Sequence, residues 1–212
     1  MIHFLYTKFD NQLDSNSFNS YLRQLPISIQ NKILKFRKWE DAHRSLFGNI
    51  LLLQGLKILK ATHHSLGNLK YTEFQKPYFD GGPHFNVSHS GAYVICAIGR
   101  DAKLGVDIEL IKDIVIADLS SNFSREEWTA ILESPDTRRE FYSHWTQKES
   151  FLKAVGIGIS FPLEKIFFSN KIITWENESW FLHEILLDPE YVCHLVTNIP
   201  QPEIIINQIP LT

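Results

Sequence analysis

Residues 104–109 read LGVDIE, and residues 145–150 read WTQKES. The first stretch alternates apolar residues with others, which is typical of a half-buried strand. Asp107 and Glu109 then project from the same face, because residues two apart in a strand point the same way. Two like charges so close raise each other's pKa and cost stability unless a positive charge lies between them. The stretch therefore raises the question of what that positive charge is.

Asp107 and Glu109 are within reach of one hard cation, and a site with few protein oxygen ligands suits Mg²⁺. The plainer interpretation is a solvated strand end with two exposed acids. The second stretch predicts a helix on which Trp145, Glu149 and Lys153 follow at i, i+4 and i+8 and share a face. A surface ion pair explains the last two equally well.

Composition describes an ordinary globular protein. The chain has 212 residues, 44% of them hydrophobic, and a formal charge of −3, which excludes a broad basic field for nucleic acid or an anionic membrane. The longest apolar run, ILLLQGLKILK, is interrupted by polar residues, and the start lacks a signal-peptide pattern. Cys96 and Cys193 lie in apolar stretches without metal or redox spacing. We therefore expect buried thiols in a cytoplasmic protein.

The order of elements predicts an α+β protein with two pseudo-equivalent lobes, residues 1–102 and 103–212. The first lobe has a helical region from Pro26 to about Lys60, broken near Lys38. Helices are also predicted near 124–133 and 137–155. The predicted strands are 2–6, LKYTEF, HFNVS, AYVICAI, LGVDIE, 165–169, 180–187, 191–196 and 203–206.

Two further stretches carry polar groups suited to an anion. In HFNVSHSGAY a strand is expected to end at Val87, so that residues 88–91 form a turn offering amides, hydroxyls and an imidazole. A plain hairpin gives the same string. In KFRKWEDAHRSLFG a helix aligns Asp41, Arg44, Ser45 and Gly48, and Arg44 is placed to bind a phosphate. An ordinary salt bridge of Arg44 is the alternative.

Together, EDAHRSLFG, QKPYF, HFNVSHSG, GVDIE and WTQKESFLKAVGIGIS resemble the Sfp-type 4′-phosphopantetheinyl transferases over about residues 30–162. The spacing of GVDIE and WTQKES is the specific part. The resemblance implies a site between two lobes and transfer of the phosphopantetheine arm of coenzyme A to a serine of an apo carrier protein. It further implies that adenosine 3′,5′-bisphosphate is released.

The resemblance also implies roles for individual residues. Asp107, Glu109 and Glu149 would hold Mg²⁺, Lys153 would stabilise the charge that develops, and Glu149 would take the serine proton. Glu127, in FSREEW, is a secondary candidate for base or metal neighbour. A solvated helix acid is the alternative for Glu127.

Contacts to coenzyme A are implied by motif matching. Some relatives carry a lysine where this chain has Ile29, which makes Lys35 or Arg37 a possible substitute at the 3′-phosphate. A phosphate next to an imidazole raises the histidine pKa. The implied contacts are Lys32, Arg44, Lys76, Ser88, His89 and Lys153.

The resemblance places carrier docking on the second lobe, near residues 112–128, where Phe123 and the IVIADL segment offer apolar contacts. Arg125, Arg138 and Arg139 are suited to acids of a carrier. A segment packed into its own core is the alternative. The family's architecture implies a monomer. Two other functions stay open at this point: another Mg²⁺-dependent phosphoryl-transfer enzyme, although no P-loop motif is present, and a non-catalytic carrier-binding relative.

Overall fold

The computed structural model describes residues 1–158 and 161–211. Ile159 and Ser160, the last two residues of the WTQKESFLKAVGIGIS motif, lie outside the described residues, as does Thr212. The helices are Ser15–Leu22 (α1), Ile27–Ile33 (α2), Trp39–Ile58 (α3), Arg125–Glu133 (α4) and Thr137–Val155 (α5). The strands are Ile2–Lys8 (β1), Lys70–Tyr71 (β2), Pro77–Tyr78 (β3), His84–Ser90 (β4), Tyr93–Gly99 (β5), Leu104–Leu110 (β6), Ile172–Trp175 (β7), Glu178–Glu184 (β8), Tyr191–Thr197 (β9) and Ile204–Gln208 (β10).

Two four-stranded sheets form the centre of the molecule. The first has the order β10-β1-β5-β4, and the second has the order β6-β9-β8-β7. All pairs are antiparallel except β1 with β10. The mixed α+β class is therefore confirmed. β10 returns the end of the chain to the first sheet, and the division into lobes at residues 102 and 103 stays a prediction.

The sheets pack on each other and each carries a helix on its outer face. Apolar residues of α3 pack on one face of the first sheet, where Phe47 and Leu51 share a cluster with Val94. The opposite face of that sheet packs against β6 and β9, through residues such as Ile95 and Val106. Apolar residues of α5 pack on the second sheet. The alternation of β6 thus turns Val106 toward the other sheet and leaves Asp107 on the side of α5.

Most element predictions are confirmed. The helical region from Pro26 does break near Lys38, since α3 begins at Trp39, and α5 has the predicted bounds. Both cysteines are free and buried. No helix in the described part of the chain is long and apolar enough to cross a membrane.

Two expectations about elements are wrong, and the helix α1 was missed. β4 does not end at Val87 but continues to Ser90, which pairs with Tyr93, so residues 88–90 are strand and not turn. No strand covers 165–169, where a 3-10 helix at Leu163–Lys165 precedes a bridge between Ser169 and Ile172. α1 was not expected, because its sequence is largely polar. It is stabilised at its start by Asp14, whose side chain accepts hydrogen bonds from the Asn16 and Ser17 amides.

Candidate active site

The contact between α5 and β6 depends on Gly105. A Cβ atom at this position would lie 2.2 Å from the Ala154 nitrogen and 2.3 Å from the Ser150 carbonyl oxygen. These are backbone atoms of α5, so they cannot move away as a flexible side chain would. The glycine of GVDIE therefore lets the helix lie directly on the strand, which brings Asp107 next to the side chains of α5.

Lys153 supplies the positive charge that the two strand acids require. Its Nζ atom lies 2.5 Å from Asp107 Oδ1, and the Ser88 hydroxyl donates a hydrogen bond of 2.8 Å to the same oxygen. Lys153 Nζ also donates to Ser88 Oγ at 3.1 Å. Burial lowers the pKa of Lys153, but the neighbouring carboxylates, Asp107 above all, outweigh it, so that the pKa is raised.

The three predicted metal ligands line one cavity of about 360 Å³, between β4, β6 and α5. Burial raises the pKa of Glu149, and repulsion from Asp107 and Glu109 adds to this although Lys153 opposes it. Burial also raises the pKa of Glu109, whose Oε2 accepts a hydrogen bond of 2.7 Å from Ser90 Oγ. Ionised carboxylates are thus disfavoured here without a further cation.

The chemistry of this cavity fits a hard divalent cation. Asp107 Oδ2 is buried and accepts no hydrogen bond from the residues that the structure describes. An unpartnered carboxylate oxygen beside Glu109 and Glu149 is the type of ligand that Mg²⁺ prefers. Within residues 1–158 and 161–211, however, no group of three or more His, Cys, Asp or Glu side chains is arranged to hold a metal. Asp107 Oδ1 is instead paired with Lys153.

Polar side chains of β4 join the two sheets where the acids lie. Asn86 Oδ1 accepts a hydrogen bond of 2.9 Å from the Val106 amide, and Ser90 Oγ accepts one of 3.1 Å from the Leu110 amide. With Ser88, these residues fix β4 against β6 and so fix the positions of the acids. Asn86 was missed from the sequence, and Ser90 was expected only as part of a turn. Their signal is the alternation of polar residues in HFNVSHS, which a strand reaching Ser90 explains.

A second cavity, of about 390 Å³, lies between α3 and β4. Arg44 and Asp41 line it, and the Arg44 guanidinium donates to Asp41 Oδ1 at 2.9 Å and to the Gly91 carbonyl at 2.9 and 3.1 Å. The salt bridge that was the alternative for Arg44 is therefore present, and its contact with a phosphate stays a prediction. Val87 and His89 line both this cavity and the acidic one, so the two cavities lie next to each other. Lys32 lies beside it, with Nζ 6.0 Å from the centre of the Tyr71 ring.

His89 and Ser88 point to opposite sides of β4. Ser88 faces the acids, whereas His89 faces the second cavity, where desolvation lowers its pKa and the positive charges of Arg44 and Lys153 act in the same direction. In the absence of an anion the imidazole is therefore held toward its neutral form. The rise in pKa expected beside a phosphate stays a prediction for the bound state.

Lys76 does not line the cavity between α3 and β4. Its Nζ donates to the carbonyl oxygens of Ala154 at 2.7 Å and Leu104 at 3.3 Å. Burial lowers the pKa of Lys76 to about 8. Its side chain lines a third cavity, of about 210 Å³, which also contains Glu149 and Lys153.

Glu127 is neither solvated nor among the residues lining the acidic cavity. It is buried, lies 2.8 Å from Lys148 Nζ, and forms a reciprocal cap with Ser124 at the start of α4. Burial raises the pKa of Glu127, but hydrogen bonds from His144, Lys148 and Ser124 outweigh it, and the pKa is lowered. Lys148 was missed from the sequence. Its place inside WTQKES, next to Glu149, is the signal that was available.

The predicted docking segment is mostly exposed, and Phe123 and Glu127 are its two buried residues. Ile114 and Val115 are exposed, and a 3-10 helix follows at Ile116–Asn122. Phe123 is buried, stacks on Trp128 and packs against Phe141, so the expectation that it offers a free apolar contact is wrong. Of the three arginines, Arg138 pairs with Asp113 and Arg139 donates to the Pro189 carbonyl, while Arg125 is exposed.

Two family models match the chain. The model of the 4′-phosphopantetheinyl transferase superfamily matches residues 103–196, and that of the 4′-phosphopantetheinyl transferase N-terminal region matches residues 12–100. These matches define the class of protein to which the fold and the site belong.

Individual proteins that are similar to this chain are named as members of the same family. The 4′-phosphopantetheinyl transferase gsp of Aneurinibacillus migulanus is 31% identical, over 77% of this chain and 69% of the relative. The 4′-phosphopantetheinyl transferase Sfp of Bacillus subtilis (strain 168) is 32% identical, over 73% of this chain and 70% of the relative. The L-aminoadipate-semialdehyde dehydrogenase-phosphopantetheinyl transferase of Xenopus laevis is 31% identical, over 76% of this chain and 64% of the relative. The chain belongs to the 4′-phosphopantetheinyl transferase family, as its motifs predicted.

Proposed function

We propose that this protein transfers the 4′-phosphopantetheine arm of coenzyme A to a serine hydroxyl of an apo carrier protein and releases adenosine 3′,5′-bisphosphate. One observation carries the proposal. The cavity lined by Asp107, Glu109, Glu149 and Lys153 lies next to the cavity beside Arg44, and His89 lines both. A substrate with a phosphorylated nucleotide at one end and a reacting pyrophosphate at the other fits this arrangement.

The nucleotide end of coenzyme A is proposed to lie in the cavity between α3 and β4. The chain as a whole is acidic, so the phosphates require local cations. Arg44, His89 and Lys32 lie in or beside this cavity. Lys35 and Arg37 flank Phe36, which lines it, and both are exposed. They are therefore available to replace the lysine that some relatives carry at the position of Ile29.

Mg²⁺ is proposed to be held by Asp107, Glu109 and Glu149, the three carboxylates that line the acidic cavity. When bound, Mg²⁺ offsets negative charge on pyrophosphate oxygens. Burial raises the pKa values of Glu109 and Glu149, and repulsion from neighbouring acids adds to this. A cation here would also relieve that repulsion.

The reaction makes one bond and breaks one. The serine oxygen bonds to the phosphorus next to pantetheine, and the bond from that phosphorus to the oxygen of the leaving bisphosphate breaks. We assign the serine proton to Glu149, the carboxylate that α5 presents to the cavity lined by Asp107 and Glu109. Lys153 and Ser88 lie at the same cavity and donate to oxygens of the transferring group.

The carrier protein is proposed to dock along residues 112–128. Ile114 and Val115 supply exposed apolar surface there, and Arg125 supplies an exposed positive charge for an acidic partner. We also propose that the protein acts as a monomer in the cytoplasm. Buried free thiols at Cys96 and Cys193 suit a reducing compartment.

Adding a chelator tests the proposal as a whole. The protein is mixed with coenzyme A, Mg²⁺ and an apo carrier protein, and release of adenosine 3′,5′-bisphosphate is followed by chromatography. Release is expected to need all three, to stop with excess EDTA and to return with added Mg²⁺. Undiminished release in EDTA contradicts the metal assignment, and no release under any condition contradicts the activity.

His89→Ala is expected to weaken binding of coenzyme A more than it slows the chemistry. The imidazole lines the proposed nucleotide cavity and is not one of the proposed metal ligands, so its loss removes binding that the ground state and the transition state share. We expect KM for coenzyme A to rise about tenfold with kcat changed little. Dephospho-coenzyme A, which lacks the 3′-phosphate, should show a smaller rise. An equal rise for both substrates would remove His89 from the 3′-phosphate.

A further inference from the structure

Lys76 joins the two elements that carry the reactive groups. Its ammonium donates a hydrogen bond to the carbonyl oxygen of Ala154, which lies in the last turn of α5 and directly follows Lys153. It also donates a hydrogen bond to the carbonyl oxygen of Leu104, which begins β6 and directly precedes Gly105. Two of its three hydrogens are therefore committed to main-chain oxygens of the protein.

The end of α5 needs a donor at this place. The last carbonyls of a helix have no partner within the helix, and a positive charge there interacts favourably with the helix dipole. The helix ends at Gly156, which has the left-handed φ of 78° and donates its amide to the Leu152 carbonyl. This cap does not use the Ala154 carbonyl, which Lys76 occupies instead. The aliphatic stem of Lys76 covers Gly156, where a Cβ atom would lie 3.0 Å from Lys76 Cδ.

The loop that carries Lys76 is itself fixed. The Lys76 amide donates to Thr72 Oγ1 at 3.1 Å, and the Thr72 amide donates back to the Lys76 carbonyl at 3.0 Å. Gln75, between them, has the left-handed φ of 63° that closes the turn. Because both the amide and the carbonyl of Lys76 are hydrogen-bonded to Thr72, the backbone from which its side chain extends to α5 is held in place.

We propose that Lys76 is a positioning residue. It clamps the end of α5 to the start of β6, so that Glu149 and Lys153 are kept opposite Asp107, and it does not bind the phosphates of coenzyme A. The proposal rests on the proposed transferase function for its kinetic consequence, but its structural part does not. It differs from the direct coenzyme A contact that the motif resemblance implies for QKPYF.

Two readouts on the whole 212-residue chain test the clamp. Lys76→Met keeps an aliphatic stem over Gly156 and removes the ammonium, and Lys76→Arg keeps a donor. Lys70→Met, on the same hairpin, is the matched control, because Lys70 is exposed and pairs only with Asp80 among the described residues. For each variant, kcat and KM are measured with coenzyme A and with dephospho-coenzyme A. Hydrogen exchange of the last turn of α5 is measured without substrates.

For Lys76→Met we expect kcat to fall by about tenfold to a hundredfold, by the same factor for both substrates, because misplaced reactive groups affect the chemical step. KM should change by less than about twofold. Exchange in the last turn of α5 should be about tenfold faster, since one end restraint is lost. Lys76→Arg should recover part of both effects, and Lys70→Met should match the unchanged protein.

A rise in KM of more than about twofold with either substrate would overturn the clamp. A rise that persists with dephospho-coenzyme A would make Lys76 a contact elsewhere on coenzyme A, and a rise that disappears would make it a contact of the 3′-phosphate. His89→Ala provides the reference for that pattern. Unchanged exchange in Lys76→Met would overturn it as well, whatever happens to kcat. If the unchanged protein fails to modify any carrier, the transferase function fails, while the exchange measurement still decides the clamp.

Discussion

Glu149→Gln is expected to abolish transfer while leaving the stability of the fold unchanged or raised. Glu149 is half-buried, and the pKa of its carboxyl group is raised by burial and by the charges of Asp107 and Glu109. A group with a raised folded-state pKa favours folding when protonated and opposes it when ionised. Glutamine is neutral and nearly the same shape, so it removes that cost at pH 7.

The same change removes the proposed base and one proposed metal ligand. We expect transfer to fall by about a thousandfold. The measurement pairs the rate of carrier modification with the thermal midpoint. Glu133→Gln, at the exposed end of α4, is the matched control and should alter neither. Retained activity in Glu149→Gln would remove the assignment, and a lost fold would make the carboxylate structural.

Gly105→Ala is expected to displace α5 from β6 and thereby to lower both the stability of the fold and the rate of transfer. The added methyl would overlap the Ala154 nitrogen and the Ser150 carbonyl oxygen, both of them backbone atoms, so the helix must move. Overpacking of this kind should lower the free energy of unfolding by about 3 kcal/mol. Because Glu149 and Lys153 move with the helix, transfer should fall by about a hundredfold.

Gly67→Ala is the control for Gly105→Ala. A Cβ atom at Gly67 would lie 3.6 Å from Ser65 Oγ and 3.8 Å from Pro26 Cγ, which are ordinary contacts. Urea denaturation and the transfer rate of both variants are compared with those of the unchanged protein. A Gly105→Ala protein as stable and as active as the Gly67→Ala protein would show that the close approach of α5 to β6 is not required.

The elements that carry the reactive groups were predictable because their signals are local. Alternation placed Asp107 on a strand, and helical spacing placed Glu149 and Lys153 on one face of a helix with the observed bounds. The order of the motifs then gave the family, which the comparisons confirm. None of this required knowledge of contacts distant in sequence.

What the sequence did not show depends on long-range pairing. The small polar residues after Val87 have turn-like composition, yet pairing with β5 and bonding to β6 keep the chain extended through Ser90. Lys76 carries no local sign that its ammonium reaches α5 and β6. Phe123 looks like surface in a polar segment, and only the packing of α4 and α5 buries it.

The mass of an apo carrier protein after incubation with this protein, coenzyme A and Mg²⁺ tests the central claim most directly. The account predicts a gain of one phosphopantetheine, located by fragmentation on the carrier serine, and no gain for a carrier with that serine replaced by alanine. Fatty-acid, peptide-synthetase and polyketide-synthase carriers are run side by side. An unchanged mass for all of them, or the same gain with Glu149→Gln, would contradict the account.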